Sequence, residues 1–309
     1  MQASLHTIVL GAAAGGGVPQ WNCACPVCRL AWTGDPRVRP RTQSSIAVSV
    51  NGEDWLLLNA SPDIRQQLQA VPALQPGDPL RHKGSARHSP IAAVLLTNGD
   101  VDHVAGLLGL RERQAFTLYG TAETLDSIAG NRIFDVLARD LVGRKAVTPG
   151  QSFEALPGLT VTLVPVPGKL PLWRENEPMR LGEASEATVG VILAGGGKRI
   201  AYIPGCADVP PWLRETIAGA DLLLFDGTLW EDDEMIRHGL GTKTGRRMGH
   251  MPIAGPDGSM AALAGLPVEQ RVFIHLNNTN PVLVEDSPQR QAVETAGWQV
   301  AHDGMVFSL

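Results

Sequence analysis

Apolar residues come in short runs along this chain, and most of the runs end at glycine or proline. Short β-branched and apolar runs with such boundaries are typical of β-strands. They predict strands at residues 7–10, 44–50, 55–58, 91–96, 116–118, 159–166, 189–194, 199–203, 222–225, 271–276 and 305–309. Asn51-Gly52 and Gly195–Gly197 separate neighbouring runs, so both positions indicate β-hairpins.

Helical patterns alternate with these strands in both halves of the chain. They predict helices at residues 64–71, 104–113, 122–136, 212–217 and 292–296, and the polar stretch 76–90 predicts a loop. Hairpins combined with helix-strand alternation favour an α+β fold in which two mixed β-sheets pack face to face with helices outside. Without a low-complexity linker or a short repeat, we expect one domain over residues 1–309.

Composition and charge exclude several classes of function. Apolar residues make up 44% of the 309 positions, enough for a sizeable core. The formal net charge is -5 with no basic block, which argues against a nucleic-acid partner. No window approaches the roughly 18 uninterrupted apolar residues of a transmembrane helix. The opening segment lacks the basic region of a secretory signal, so we expect a cytoplasmic protein without a membrane partner.

The stretch WNCACPVC at residues 21–28 holds three of the four cysteines, Cys23, Cys25 and Cys28. Three thiolates at this spacing can face one ion, which favours a structural Zn²⁺ with one further ligand. A redox pair is the catalytic alternative, but it needs a reactive thiol at a helix start, and no sequence signal marks one here. The sequence therefore predicts a zinc loop whose fourth ligand stays open.

A second candidate site lies in VLLTNGDVDHVAGLLGLRE, residues 94–112, where a buried strand gives way to a helix. Ligand sites often lie at such a carboxyl edge of a sheet. Asp102 and His103 can bind a borderline metal such as zinc or iron. Taken alone, the two residues are explained equally well by a helix cap at Asp102 and a polar surface histidine at His103.

Six segments in order resemble the metallo-β-lactamase superfamily, and more closely its branch that acts in the biosynthesis of pyrroloquinoline quinone (PQQ). They are GAAAGGGVPQWNCACPVC, TNGDVDHVAGLLGLRE, YIPGCAD, FDGTLW, MGHMPI and HLNNTNP, and they span nearly the whole chain. The resemblance implies an αββα sandwich. The superfamily's His-x-His-x-Asp-His signature stands here with Asn98 and Asp100 in place of its first two histidines.

The resemblance implies one surviving metal site, with Asp102, His103 and His275 as ligands and Asp208 as a further candidate. The other site has lost its histidines, and residues 164–173 supply none. Two imidazoles and one carboxylate with open positions suit non-haem Fe²⁺, although Zn²⁺ fits the same donors. We therefore expect an active-site Fe²⁺ or Zn²⁺.

The PQQ branch implies oxygenation of the tyrosine-derived ring of a Glu–Tyr precursor, with other PQQ-pathway proteins as possible partners. There are two alternatives: a PQQ carrier that assists transport, and a metal-dependent hydrolase. Fold analogy alone does not decide among the three functions. The sequence does not indicate an oligomeric state.

Other residues receive roles mainly from the same resemblance. His250 is the candidate proton donor or substrate contact, and Asp226 is the candidate carboxylate that orients a ligand histidine. Three further residues are candidates for binding substrate carboxylates: Asn278, Asn280 and Arg111. Turn, capping and surface roles are the alternatives for all five. Asn278 also stands where the superfamily's phosphodiesterase branch has a histidine that completes the cysteine zinc site.

Overall fold

The computed structural model describes residues 4–82, 84–174 and 183–309. The described strands are β1 (His6–Gly11), β2 (Ser45–Ser49), β3 (Trp55–Leu58), β4 (Ile91–Leu95), β5 (Phe116–Gly120), β6 (Val142–Ala146), β7 (Ser152–Leu156), β8 (Leu159–Pro167), β9 (Ala184–Gly195), β10 (Lys198–Ile203), β11 (Leu222–Asp226), β12 (Gln270–Ile274), β13 (Gln299–Val300) and β14 (Val306–Ser308).

The described α-helices are α1 (Pro26–Trp32), α2 (Ile64–Ala70), α3 (Val101–Val104), α4 (Ala122–Ala129), α5 (Pro211–Ile217), α6 (Glu234–Arg237), α7 (Ser259–Ala262) and α8 (Pro288–Thr295). Short 3₁₀ turns cover Pro72–Leu74, Pro79–His82, Ala105–Leu110, Arg132–Val136, Leu172–Arg174, Arg246–Met248 and Pro281–Leu283. None of the helices in the described ranges has the length and apolar content needed to cross a bilayer.

The strands form two seven-stranded sheets with related topologies. One sheet has the order β14-β1-β2-β3-β4-β5-β6, and the other has the order β13-β12-β11-β10-β9-β8-β7. In each half of the chain, antiparallel pairs come first and parallel pairs follow. Both sheets are therefore mixed, and the second half of the chain repeats the plan of the first.

The layers follow from the alternation of side chains along each strand. In β3, Leu56 and Leu58 belong to the core between the two sheets, whereas Trp55 and Leu57 pack in a second core beneath the outer helices. A third core lies on the outer face of the other sheet. Strands with both faces covered read as continuous apolar runs. The expected αββα sandwich of two mixed sheets is thereby confirmed.

Two predicted helices differ from the structure, and several observed elements were not predicted. The helix expected at residues 104–113 is α3 followed by a 3₁₀ turn, because Gly106 lies against the backbone of residue 61, where an added Cβ would be 2.1 Å from Ser61 O. The helix expected at residues 122–136 divides after Ala129. Strands β6 and β7 and helix α1 have no counterpart in the prediction, because their largely polar or short sequences carry a weak apolar pattern.

Candidate metal centre and its cavity

The candidate site lies where parallel strands of the two sheets end side by side. Asp102 and His103 lie in α3, shortly after β4. Asp226 is the last residue of β11, and His275 directly follows the neighbouring strand β12. Residues more than a hundred positions apart therefore meet at one edge of the sandwich, as expected for carboxyl ends of parallel strands.

Asp102, His103 and His275 bring three donor atoms within 4.8 Å of one another. Asp102 Oδ2 lies 3.2 Å from His275 Nε2 and 3.9 Å from His103 Nε2. His103 Nε2 is buried, and no described residue forms a hydrogen bond with it. A buried polar atom without a partner is costly unless something binds it. The three residues thus fit a metal ion that takes both Nε2 atoms and one carboxylate oxygen.

Hydrogen bonds behind the two imidazoles fix their orientation and tautomer. His103 Nδ1 donates to Asn98 Oδ1 at 2.9 Å, so Nε2 is the nitrogen left for a ligand. His275 Nδ1 lies 2.9 Å from Thr228 Oγ1, and the Thr228 hydroxyl lies 2.6 Å from Asp226 Oδ1. Such outer partners raise the basicity of ligating histidines. Asn98 therefore supports the candidate ligand His103, in the signature position where the superfamily has a histidine.

His250 stacks on His275 with ring centroids 5.1 Å apart, and it also contacts the Asp226 carboxylate. Its Nδ1 donates to Asp226 Oδ2 at 2.8 Å, which leaves Nε2 as the acceptor nitrogen. Sequence reasoning placed Asp226 behind a ligand histidine, whereas the structure links it directly to His250 and through Thr228 to His275. Thr228 was missed as a functional residue, although it stands in the FDGTLW segment that carried the resemblance.

Burial and neighbouring charges set the protonation of the three donors. Burial lowers the pKa of His103 to about 4, so its imidazole is neutral. Burial alone would raise the pKa of Asp102, but the adjacent His103 and His275 hold it well below its usual range. For His275, burial would lower the pKa, but the hydrogen bond that its Nε2 donates to Asp102 and the negative charge of that carboxylate outweigh burial, so the pKa is raised. A bound metal would therefore displace a proton from His275.

An ion pair between Lys169 and Asp100 lies beside the cluster. Asp100 stands in the signature position of the superfamily's second histidine. Lys169 Nζ lies 2.8 and 3.0 Å from the two Asp100 carboxylate oxygens and donates to Leu170 O at 3.3 Å. Lys169 belongs to the segment that offers no histidine, and sequence reasoning missed it. A fixed ammonium charge repels a second cation, so this pair disfavours a second metal ion next to the first.

The three donors open into a cavity of about 260 Å³. Its lining includes His250, Asp100 and three basic residues, Lys169, Lys243 and Arg247. Lys243 and Arg247 carry no motif signal and were not expected at the site. The arrangement is an open set of metal donors beside a small basic chamber, slightly smaller than the roughly 300–1,000 Å³ of most ligand pockets.

Two expected site residues lie elsewhere. Asp208 is exposed and lines a different cavity with Arg246 and Asp257, and no group of metal-ligating side chains among the described residues includes it. Asp208 lies beyond the end of β10 and away from the donor cluster, so its expected place as a ligand is corrected. Arg111 is exposed and pairs with Glu112 at 3.4 Å, outside the cavity lining.

The cysteine loop folds into a second, separate cluster. Cys23, Cys25 and Cys28 are buried, and their sulfur atoms lie within 4.8 Å of one another. Cys25 caps α1, a helix start that the sequence did not signal. Burial raises the pKa of Cys25 to about 12, which is the opposite of a reactive redox thiol.

Asn278 occupies the fourth side of this cluster. Its Nδ2 lies 3.1, 3.7 and 3.3 Å from the Sγ atoms of Cys23, Cys25 and Cys28. Since Asn278 touches the cysteines and does not line the metal cavity, its expected substrate contact is corrected. Asn280 is fully buried and bonds Gly227 O and Thr228 O, so it supports the loop that carries Thr228.

Comparison with known proteins defines the class first. A family profile described as a beta-lactamase superfamily domain matches residues 54–276, so the chain belongs to that superfamily. Coenzyme PQQ synthesis protein B of Methylorubrum extorquens is 62% identical over 305 residues, covering 99% of this chain and 100% of that protein. The protein of the same name from Ruegeria pomeroyi is 54% identical over the same extent. The chain is thus a member of the coenzyme PQQ synthesis protein B family.

Solved structures agree with this assignment. The crystal structure of Zn²⁺-bound PqqB from Methylobacterium extorquens matches with a TM-score of 0.95 and 62% identity, covering 98% of this chain and 100% of that chain. A diphosphatase from the PhnP family matches at 22% identity with a TM-score of 0.68, covering 100% and 98%, and shows the fold alone. The resemblance to the PQQ branch of the superfamily is confirmed.

Proposed function

We propose that this protein acts in PQQ biosynthesis as an Fe²⁺-dependent oxygenase that hydroxylates the tyrosine-derived ring of a Glu–Tyr precursor. The names of its full-length relatives support the pathway. The observation that carries the chemistry is the open set of Asp102, His103 and His275 beside the Lys169–Asp100 ion pair. Two imidazoles and one carboxylate with free positions suit Fe²⁺ and dioxygen. The same donors accept Zn²⁺, so the iron is part of the proposal.

The Lys169–Asp100 pair weighs against a hydrolase. Two-metal hydrolases hold the attacking and leaving oxygens between two ions about 3.5–4 Å apart. Here the neighbouring position carries an ammonium group that is already satisfied by a carboxylate. The remaining single site has lost that two-ion arrangement, but it keeps room for substrate.

The overall reaction balances with an external reductant. Ring hydroxylation places one atom of O₂ in a new C–O bond, releases the other as water, and takes two electrons and two protons, here from a thiol or ascorbate. Bound Fe²⁺ would supply the activation of dioxygen. His250 would accept the phenolic proton at Nε2, while Asp226 holds its Nδ1–H and stabilises the imidazolium. Asn98 and Thr228 would keep both ligand rings in place.

The test compares the wild type with His103→Ala and with His238→Ala, an exposed histidine outside the cavity. Each protein is purified without oxygen, loaded with Fe²⁺, and given precursor, reductant and isotopically labelled dioxygen. We expect labelled oxygen in the product from the wild type and His238→Ala, and none from His103→Ala. An iron-loaded wild type that binds precursor or PQQ tightly without oxygen gain would favour the carrier, and a cleaved product would favour the hydrolase.

A further inference from the structure

The wall of the cavity beside the metal donors is basic. Lys169, Lys243 and Arg247 all line it, and they come from two segments that are far apart in sequence. None of the three lies in a motif that identifies the family. Basic residues gathered at the mouth of a small cavity raise the local concentration of anionic ligands.

Close packing joins the two segments that carry these residues. Gly249 has a φ of +85°, and an added Cβ would lie 3.0 Å from Lys169 Cγ, so the turn rests directly on the Lys169 side chain. Asp232 accepts the backbone N–H of Gly245 through its carbonyl at 2.8 Å and that of Arg246 through its carboxylate at 2.9 Å. The Arg246 guanidinium bonds Ala207 O and Asp257 O. Arg247 therefore projects from an anchored turn.

The charges around the cavity leave a positive surplus once a metal is bound. Three basic residues and two acidic ones, Asp100 and Asp102, line the cavity, and a divalent ion would add two positive charges. Lys169 is paired with Asp100 at 2.8 Å, and Lys243 has a partner of its own within the protein. Arg247 is exposed, and its planar guanidinium matches a carboxylate through two parallel hydrogen bonds.

We infer that Arg247, supported by Lys243 and Lys169, forms an anion subsite that binds the carboxylates of a small polycarboxylate substrate and turns its ring toward the metal donors. The inference rests on the proposed function for the identity of the ring, and on the basic wall for the carboxylates. Charge-assisted hydrogen bonds are roughly twice as strong as neutral ones, so losing Arg247 weakens binding by about tenfold or more.

PQQ, which carries three carboxylates, is the probe. Its Kd is measured by isothermal titration with zinc-loaded protein at low and high salt, for the wild type, Arg247→Gln and Arg247→Lys. Arg139→Gln is the matched control, because Arg139 is 71% exposed and pairs with Asp135 away from the cavity. We expect Arg247→Gln to raise Kd about tenfold and to flatten its salt dependence, Arg247→Lys to raise Kd less, and Arg139→Gln to match the wild type. Equal zinc content shows that the metal site is intact.

An unchanged Kd in Arg247→Gln, or no PQQ binding by the wild type, would overturn the subsite. The outcome is separate from that of the proposed function, because zinc-loaded protein is used and no oxygen chemistry is needed. If the iron-loaded wild type oxygenates nothing while Arg247→Gln still loses PQQ, the proposed function fails and the subsite stands. If the wild type oxygenates the precursor and Arg247→Gln binds PQQ normally, the subsite fails alone.

Discussion

Among the described residues, three groups of side chains could hold a metal ion: the three cysteines, the Asp102–His103–His275 cluster, and Asp226 with His250 and the shared His275. The first two differ in how they are closed. Cys23, Cys25 and Cys28 sit within one short loop, are at most 7% exposed, and have Asn278 against their open side. Asp102, His103 and His275 come from two distant segments and open into a cavity. Closed clusters of soft ligands suit structural zinc, and sites with a free position suit catalysis. This difference is why we propose a structural role for the first cluster and a catalytic role for the second.

The surroundings of the two clusters differ in the same sense. The cysteines belong to the apolar core on the outer face of one sheet, so a metal there would hold the loop onto that core. The histidines are instead backed by polar partners, Asn98 for His103 and Thr228 for His275. Polar backing tunes and orients a ligand without closing its site. Removing residues from each cluster should therefore have separable effects.

Replacement of Cys28 by serine should give the largest effect. We expect loss of one zinc per chain and a fall of about 3–5 kcal/mol in the free energy of unfolding, because metal binding at a closed site contributes to folding. Zinc analysis and denaturant unfolding measure both quantities. Cys206→Ser is the matched control, since Cys206 is fully buried but outside the cluster, and it should keep its zinc. If Cys28→Ser and Cys206→Ser contain the same amount of zinc, the proposed structural zinc site in the cysteine loop is wrong.

Replacement of Asn98 by alanine tests the open cluster. The variant leaves His103 Nδ1 without its acceptor, so metal affinity at the open site should fall about 10–100-fold with little loss of stability. Competition with a fluorescent chelator measures the affinity. Asn280→Ala is the matched variant, because it removes a buried side chain that donates hydrogen bonds to the backbone of the Thr228 loop. It should lower the free energy of unfolding more than it lowers metal affinity. An Asn98→Ala protein with wild-type affinity would contradict the supporting role of this residue.

Replacement of Glu234 by glutamine should have the smallest effect, and one that depends on pH. Glu234 bonds Thr279, next to Asn278, and burial raises its pKa from 4.5 to about 7. Because the folded-state pKa is higher, the native protein holds the proton more tightly. The stability that this contributes is present below about pH 4.5 and is lost as the pH rises to about 7.

We therefore expect Glu234→Gln to exceed the wild type by about 1–2 kcal/mol in unfolding free energy at pH 8, and to match it at pH 4. Chemical denaturation at the two pH values measures the difference. Glu112→Gln, an exposed carboxylate, should change neither value. A Glu234→Gln profile parallel to that of the wild type would show that the carboxyl is not held protonated.

Local sequence determined most of the strands and the candidate ligands that are close together in the chain. Apolar runs such as the one at β3 predict strands covered on both faces, and the observed sheets bear this out. The cysteine spacing and the Asp102-His103 pair are visible directly, because their members are close in sequence. The missed strand β7 shows the limit of this signal, since Ser152 and Glu154 among its 5 residues are polar and exposed, and it pairs through its backbone.

Only the tertiary structure decided which residues act together across long separations. Lys169 lies beside Asp100, Thr228 links Asp226 to His275, and Asn278 turns to the cysteines, because β-sheet pairing brings strand ends together regardless of sequence distance. Asp208 shows the converse, since this plausible ligand lies beyond the end of β10 and lines a different cavity. Residue type and spacing set the chemistry that is available to this chain, and the packing of the two sheets selects the side chains that share a cavity.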